Sequence, residues 1–537
     1  MSEQDGGFIA AEVLARHGVD TIFTLSGGHL FPLYDGCVRH EQRLVDVRHE
    51  QTATFAAEGW AKVTRRPGVA ALTAGPGVTN GVSAITGAAM TGSPLLVIGG
   101  RAPQARWGSG SLQELDHVPI LASVTKAAST VASSSELADA LDRALTTACT
   151  PHRGPVFVDV PLDAWGPAEM TPPEAPTSFP GAAPDAAEID RVARLVDGAV
   201  RPVLLVGADA YWGRCEDALR SFVETAQLPT FANGLGRGLL PADHELAFSR
   251  ARSAAFRDAD LVIVAGTPLD FRVNFGKFGD AKVVHLVDAP DRVAGHVQLA
   301  ASVAGDLTTT FAALAEHGVS STARADWVVR LRAVETERRA ADAEDLEADT
   351  TPIKPTRVYG ELRRRLDRDA IVIGDGGDFV SYAGRLVDSY VPGSFLDPGP
   401  FGCLGTGMGY ALAAGLAHPD RQVVVMFGDG AIGFSLGDLD TLVRWGVNVV
   451  AIVGNNGIWG LEKHPMQMIF GYDVVAELRP GTRYDEVATA FGAHGELVSE
   501  PSEIGPALDR AFATAGPSVV NVLTDPSDAY PRSSNLG

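Results

Sequence analysis

Residues Val423 to Leu461 read VVVMFGDGAIGFSLGDLDTLVRWGVNVVAIVGNNGIWGL. The apolar run Val423–Phe427 stops abruptly at Gly428-Asp429-Gly430, as a buried parallel strand does on reaching a turn. Ser435 can cap a helix that carries Leu436, Leu439, Leu442 and Val443 at helical spacing. Val447–Val453 is a second apolar run, and it stops at Asn455-Asn456-Gly457. A strand, a helix and a parallel strand connect with a right-handed crossover, so both strands end on the same sheet edge. Asp429 and Asn456 therefore meet there, although a whole helix separates them in sequence. A carboxylate, an amide oxygen and a backbone carbonyl from the following turn make a hard oxygen set. Such a set suits Mg²⁺ with phosphate oxygens completing its shell. The glycines let backbone approach an anion, and a helix N-terminus favours its charge. This stretch is suited to a metal-bound diphosphate.

The rest of the chain repeats the same alternation. Its 537 residues allow about three domains of roughly 150 residues each. In the first part, Thr21–Leu25, Leu44–Val47, Val69–Ala74, Pro94–Gly99 and Pro155–Val160 read as strands between helical patterns. A Pro- and Ala-rich stretch, about 166–184, reads as a linker. Pro202–Val206, Leu261–Ala265 and Val283–Val287 begin a second α/β sheet, and Ile371–Ile373 opens a third that closes with Ser518–Leu523. A net charge of −22 argues against nucleic acid or an anionic membrane as partner. No apolar run reaches the roughly 18 residues of a membrane span, and MSEQDGG does not read as a signal peptide. Cys37, Cys149, Cys215 and Cys403 lack metal-ligand spacing and read as core residues of a reducing compartment, so the expected location is cytoplasmic.

GDG followed by NN at this spacing resembles the thiamine-diphosphate signature. Three successive α/β segments resemble, over essentially the whole chain, enzymes of the acetolactate synthase and 2-hydroxyacyl-CoA lyase family. The resemblance implies an α/β fold of three doubly wound parallel-sheet domains. Residues 1–172 would bind the cofactor's pyrimidine, 185–320 would form a central domain, and 352–537 would hold diphosphate and magnesium. It also implies that Asp429, Asn456 and the carbonyl of Ile458 hold Mg²⁺, with Gly428, Gly430, Ala431, Gly402 and Gly457 lining the cofactor. Glu50, in VRHEQTATFAAEGWAKV, matches the acid that moves a proton beside the aminopyrimidine. Leu404, in Gly402-Cys403-Leu404-Gly405, matches the apolar wedge that bends the cofactor, with Met408 in Gly407-Met408-Gly409 as the alternative register. Gln113, in GSGSLQELDH, matches the Gln of a Phe-Gln-Glu motif in which Leu112 replaces the aromatic residue, and it would face the substrate. His29, after Gly27-Gly28 at the end of the first strand, is a further candidate for substrate contact. A homodimer at minimum is implied, with a homotetramer expected, because the cofactor lies between the first domain of one subunit and the third of another.

The residues around these motifs bear on the substrate, a small molecule. GGHLFPLYDG resembles the glycine-rich segment of acetolactate synthases, with Ser26 before it in place of a Pro and His29 within it in place of an Ala, and its GGH form resembles acyl-CoA relatives. Gly457-Ile458-Trp459 and the tail Arg532-Ser533-Ser534-Asn535-Leu536 also resemble 2-hydroxyacyl-CoA lyases. Glu496, in FGAHGELV, lies where such a lyase needs a base for the 2-hydroxyl proton, although synthases often carry GE there too. The first reading is therefore a lyase that splits a 2-hydroxyacyl-CoA into a ketone or aldehyde plus formyl-CoA. The alternative is an acetolactate-synthase-type carboligase acting on pyruvate. An inactive homologue would be expected to lose Glu50 or Asp429, and both are present. The central domain is expected to hold ADP or, alternatively, FAD, with Arg252 and Asp288 as nominated contacts.

Overall fold

Apolar runs that end in glycine or a polar turn become parallel strands, and the strands fall into three separate sheets. The structure is a computed structural model in which residues 5–167, 172–317 and 324–530 are described. The first sheet contains Thr21–Thr24 (β1), Arg43–Asp46 (β2), Gly68–Leu72 (β3), Leu95–Arg101 (β4), Ala127–Thr130 (β5) and Pro155–Pro161 (β6). The second contains Pro202–Val206 (β7), Thr230–Ala232 (β8), Leu261–Ala265 (β9), Lys282–Val287 (β10) and Ala301–Ala304 (β11). The third contains Ile371–Asp375 (β12), Phe395–Leu396 (β13), Val423–Gly428 (β14), Val450–Asn455 (β15), His494–Val498 (β16) and Ser518–Leu523 (β17). All strand pairings in the three sheets are parallel. Helices cover both faces, so central strands such as β4 and β6 are buried at every position and read as continuous apolar runs.

The strand orders are β2-β1-β3-β4-β6-β5, β11-β10-β9-β7-β8 and β13-β12-β14-β15-β17-β16. The five strands that sequence patterning does not reveal, β5, β8, β11, β13 and β16, all lie at sheet edges. An edge strand has a neighbour on one side only and needs no unbroken apolar run; β5, for example, is nowhere buried. In each sheet the strand order reverses at one crevice, the place where open α/β sheets bind ligands. The crevices fall between β1 and β3, between β7 and β9, and between β12 and β14.

The connection from β14 to β15 differs from the expected single helix. Asp429–Ile432 forms one helical turn, Leu436–Asp438 a 3₁₀ turn, and Leu439–Arg444 a short helix. The Ser435 side chain makes no capping bond. A four-residue turn has little macrodipole, so any anion here must rely on individual N–H groups and on a cation.

Helix Glu50–Thr64 of the first part packs in parallel against helix Thr406–Ala417 of the last. Glycines permit the close approach: a methyl group on Gly59 would lie 3.0 Å from Tyr410 Cα, and one on Gly409 2.8 Å from Phe55 Cβ. At the far end Lys62 Nζ meets Glu58 at 2.8 Å and donates to the Tyr410 hydroxyl at 2.8 Å, while that hydroxyl donates to Glu58 at 2.7 Å. All three side chains are buried, and removing one partner from such a group costs about 3–5 kcal/mol. Tyr211, from the middle part, donates to the Lys62 carbonyl and joins the third unit to this knot. The two helix N-termini lie side by side as a result, and Gln51 Nε2 donates to the Leu404 carbonyl at 3.0 Å.

A second link crosses from the first sheet to the middle one. His152 Nδ1 lies 2.9 Å from Asp288 and 3.4 Å from Asp209. Burial alone would lower its pKa, but hydrogen bonds and charge from the two carboxylates outweigh it and push it up to about 9. The folded protein therefore holds a proton that an ordinary histidine, with a pKa of about 6.5, releases on unfolding. That stabilisation is complete below about pH 6.5 and is lost as pH rises to about 9, amounting to about 3 kcal/mol. Thermal melting should fall more steeply across this window for the wild-type protein than for His152→Gln. Parallel melting curves would remove His152 as the cause.

Among the described residues, no helix is long and apolar enough to cross a membrane.

Candidate active site

The crevice of the third sheet collects the residues of the opening motif. β14 ends at Gly428, so Asp429 begins the following turn. β15 extends to Asn455, which leaves Asn456 as the first residue beyond it. Asp429 is 4% exposed; it accepts the N–H of Gly430 at 3.0 Å and that of Gly457 at 2.7 Å. Asn456 Oδ1 accepts the N–H of Ile458 at 3.2 Å. Residues 457–459 pair antiparallel with 476–478, through Trp459 N–H to Ala476 and Leu478 N–H to Gly457. In such a ladder the intervening residue turns its own N–H and carbonyl away from the partner strand. The Ile458 carbonyl therefore faces the same side as Asn456.

Asp378 was not singled out in the sequence, yet its carboxylate reaches Asn456 Nδ2 at 3.4 Å. Burial raises both carboxyls: Asp429 is pushed up to about 6, with Asp378 adding to the effect, and Asp378 lies above its ordinary value. Two buried acids beside an amide oxygen form a donor set short of positive charge, with His464 the basic group near Asp378. A hard divalent cation would supply it. The residues thus fit Mg²⁺.

The backbone around this set leaves room for an anion. A methyl group on Gly376 would stand 2.9 Å from the Gly428 nitrogen and 3.3 Å from Ala431 Cβ. One on Gly430 would overlap the Trp459 ring at 2.4 Å, so only glycine lets the indole lie across this turn. Asp375, at the end of β12, accepts the N–H groups of Gly405 and Gly407 at 3.1 and 2.8 Å and so ties the Gly402–Gly405 loop to the same crevice. Burial pushes this carboxyl up to about 7. Leu404 is half-buried in that loop, whereas Met408 is 1% exposed within the core. Gly402 is exposed with φ +71° and lines a cleft of about 510 Å³ together with Gly376, Gly377 and Arg252.

The crevice of the first sheet gathers the remaining candidates on one loop, residues 73–80. Glu50, 8% exposed, accepts from Asn80 Nδ2 at 2.9 Å, and a methyl group on Gly77 would lie 3.7 Å from Glu50 Oε1. His29 Nδ1 meets the Thr73 hydroxyl at 3.2 Å; burial lowers its pKa, which keeps the ring neutral near pH 7. Gln113 has φ +59° and packs on Gly75. The Glu50 side chain is bonded within its own domain among the described residues, while its neighbours Arg48 and Gln51 reach Asp438 and the Leu404 carbonyl of the last domain.

Glu496, Arg252 and Asp288 were nominated as well. Glu496 lies on the edge strand β16, where it accepts from Arg510 Nε at 2.9 Å and meets His494 at 2.7 Å. The Arg510 guanidinium holds its carboxyl below the usual range, and an acid pinned in this way is a weak base. Arg252 and Asp288 also do not form one nucleotide site. Arg252 lines the 510 Å³ cleft, while Asp288 is bonded to His152 and lines a different cleft of about 380 Å³. The tail Arg532–Leu536 lies outside the described residues. Asn80 could have been flagged, since it closes the motif Gly75-Pro76-Gly77-Val78-Thr79-Asn80.

Comparison with known proteins matches three segments in order. Residues 4–120 match the N-terminal TPP-binding domain of thiamine pyrophosphate enzymes, 189–314 their central domain, and 375–522 their C-terminal TPP-binding domain. An acetolactate synthase large subunit of Mycobacterium tuberculosis is 54% identical over 99% of this chain and 97% of its own length. The 2-hydroxyacyl-CoA lyase 2 of Caenorhabditis elegans is 35% identical over 98% of this chain and 90% of its own. The human 2-hydroxyacyl-CoA lyase 2 is 33% identical, over 98% and 91%.

Proposed function

This chain belongs to the thiamine pyrophosphate enzymes, and we propose that within them it is an acetolactate-synthase-type carboligase. It would decarboxylate a 2-oxo acid such as pyruvate and join the remaining fragment to a second 2-oxo acid. The observation that carries this reading is the difference in identity: 54% to acetolactate synthases along nearly the whole chain, against 33–35% to lyases of similar coverage. It reverses the order of the two readings drawn from sequence motifs. The ion-paired state of Glu496 supports the reversal, because the lyase reading needed it as a base.

Bound at this site, thiamine diphosphate supplies a carbon nucleophile and an electron sink for cleavage next to a carbonyl. The chain's own residues do the rest. Asp429, Asn456 and the Ile458 carbonyl would hold Mg²⁺, while backbone from Gly428 to Ala431 and at Gly457 approaches the diphosphate. Leu404 would press the cofactor into shape, Glu50 would exchange a proton with its pyrimidine ring, and neutral His29 and Gln113 would face the substrate. The reading includes a homodimer at minimum, with a tetramer as the expected assembly. Among the described residues the Glu50 side chain bonds to Asn80 of its own domain and not to Asp429, and a second copy would bring a Glu50 to each Asp429.

Incubation of the purified protein with thiamine diphosphate, Mg²⁺ and pyruvate should release CO₂ and form acetolactate. A parallel reaction with a 2-hydroxyacyl-CoA should give no formyl-CoA. Pyruvate left untouched while formyl-CoA accumulates would overturn the proposal in favour of the lyase.

A further inference from the structure

The segment 73–80, which touches Glu50, His29 and Gln113, turns at Gly75 with φ 63° and ψ −113°, a conformation open to glycine, and continues as the short helix Pro76–Asn80. The Gly75 N–H is not used within the loop. It donates to Nε2 of His117, 2.9 Å away. His117 is fully buried, and its Nδ1 lies 3.0 and 3.1 Å from the two oxygens of Asp159, which is also fully buried. Because Nε2 accepts from Gly75, Nδ1 must carry the proton, and Asp159 is the acceptor that fixes this tautomer. Arg101 donates to Asp159 at 2.7 Å, and the Phe157 ring meets the imidazole edge-on at 6.2 Å. Four side chains thus converge to hold one backbone N–H. The loop starting there carries Asn80 against Glu50 and follows Thr73, which meets His29.

We propose that His117 is a positioning residue: as the Nδ1-protonated tautomer it anchors Gly75 and thereby sets the loop that orients Glu50 and His29. The functional part of this inference rests on the assignment of Glu50 as the proton-moving acid. A buried N–H left without an acceptor must find water or move, and at a reacting centre a displacement of about 1 Å costs about 100-fold in rate.

His117→Asn and His117→Gln separate anchoring from mere packing. The Asn amide reaches only the place of Nδ1, so it keeps Asp159 and abandons Gly75. The Gln amide reaches the place of Nε2 and can still accept from Gly75. In cofactor-free protein, hydrogen exchange of the peptide covering 73–80 should quicken by about 10-fold in H117N and stay within about 3-fold in H117Q. In the cofactor-loaded enzyme, kcat should fall about 10- to 100-fold in H117N with KM changed less than about 3-fold, and H117Q should restore it. Unchanged protection in H117N, or equal losses in the two variants, would overturn the proposal. Wild-type protein labelled with ¹⁵N-histidine provides a readout that needs no variant to be active: His117 should show an unprotonated Nε2, and a protonated one would overturn it. The exchange and nitrogen readouts use no cofactor, so their failure is distinct from a failure of the Glu50 assignment.

Discussion

Glu50→Gln should slow exchange of the cofactor's C2 proton by about 100-fold or more, with cofactor affinity changed less than about 3-fold. The substitution keeps the size of the side chain and the contact with Asn80, whose amide can bond to a Gln oxygen as it does to a carboxylate. What disappears is the ability to carry a proton. A loss of this size in proton transfer, with binding intact, separates a catalytic acid from a structural one. The Asn80 contact supplies the control: Asn80→Ala leaves the carboxylate in place but unrestrained, and a smaller loss, about 3- to 30-fold, is expected. Quenched proton NMR of the loaded enzyme reads both. Wild-type exchange in Glu50→Gln would remove the acid from this position.

Asp429→Ala should abolish metal-dependent cofactor binding. Asp429 is buried and bonded to two backbone N–H groups, one of them that of Gly457, which lies between Asn456 and Ile458. Its loss would remove the charged ligand of the proposed cation and leave the N–H groups of Gly430 and Gly457 without their acceptor. Cofactor affinity should fall by about 100-fold or more, and added Mg²⁺ should not restore it. Asp378→Asn tests the neighbouring acid. It keeps the hydrogen bonding near Asn456 while removing one negative charge, and a milder loss of about 3- to 10-fold is expected. Calorimetric titration of thiamine diphosphate in Mg²⁺ measures both. Unaltered affinity in Asp429→Ala would mean that the metal is held elsewhere.

The parts of this site carried by buried central strands were legible in the sequence, because a strand covered on both faces must be apolar along its length and must stop at a turn. Asp429, Asn456 and His29 were found in that way, one to five residues beyond a strand end, whereas Glu50 was found through the resemblance of its motif. Edge strands escaped because nothing obliges them to be continuously apolar. Partnerships between distant segments escaped for a different reason. That Asn80 holds Glu50, that His117 holds Gly75 and that His152 reaches Asp288 depends on which strands become neighbours, and the order β2-β1-β3-β4 is not written in any one stretch. Glu496 shows the opposite error. Its local motif suggested a base, but the Arg510 that neutralises it comes from a helix fourteen positions later.

The joining of the two clusters into one catalytic site is tested most directly by mixing the two inactive variants. Glu50→Gln and Asp429→Ala chains, co-expressed and purified together, form mixed dimers alongside the parental ones. If each site takes Glu50 from one chain and Asp429 from its partner, every mixed dimer carries one site with both residues intact. Acetolactate formation should then return to about a quarter of the wild-type rate, since half the dimers are mixed and half their sites are whole. Activity no higher than that of the separate variants would contradict a site shared between two chains.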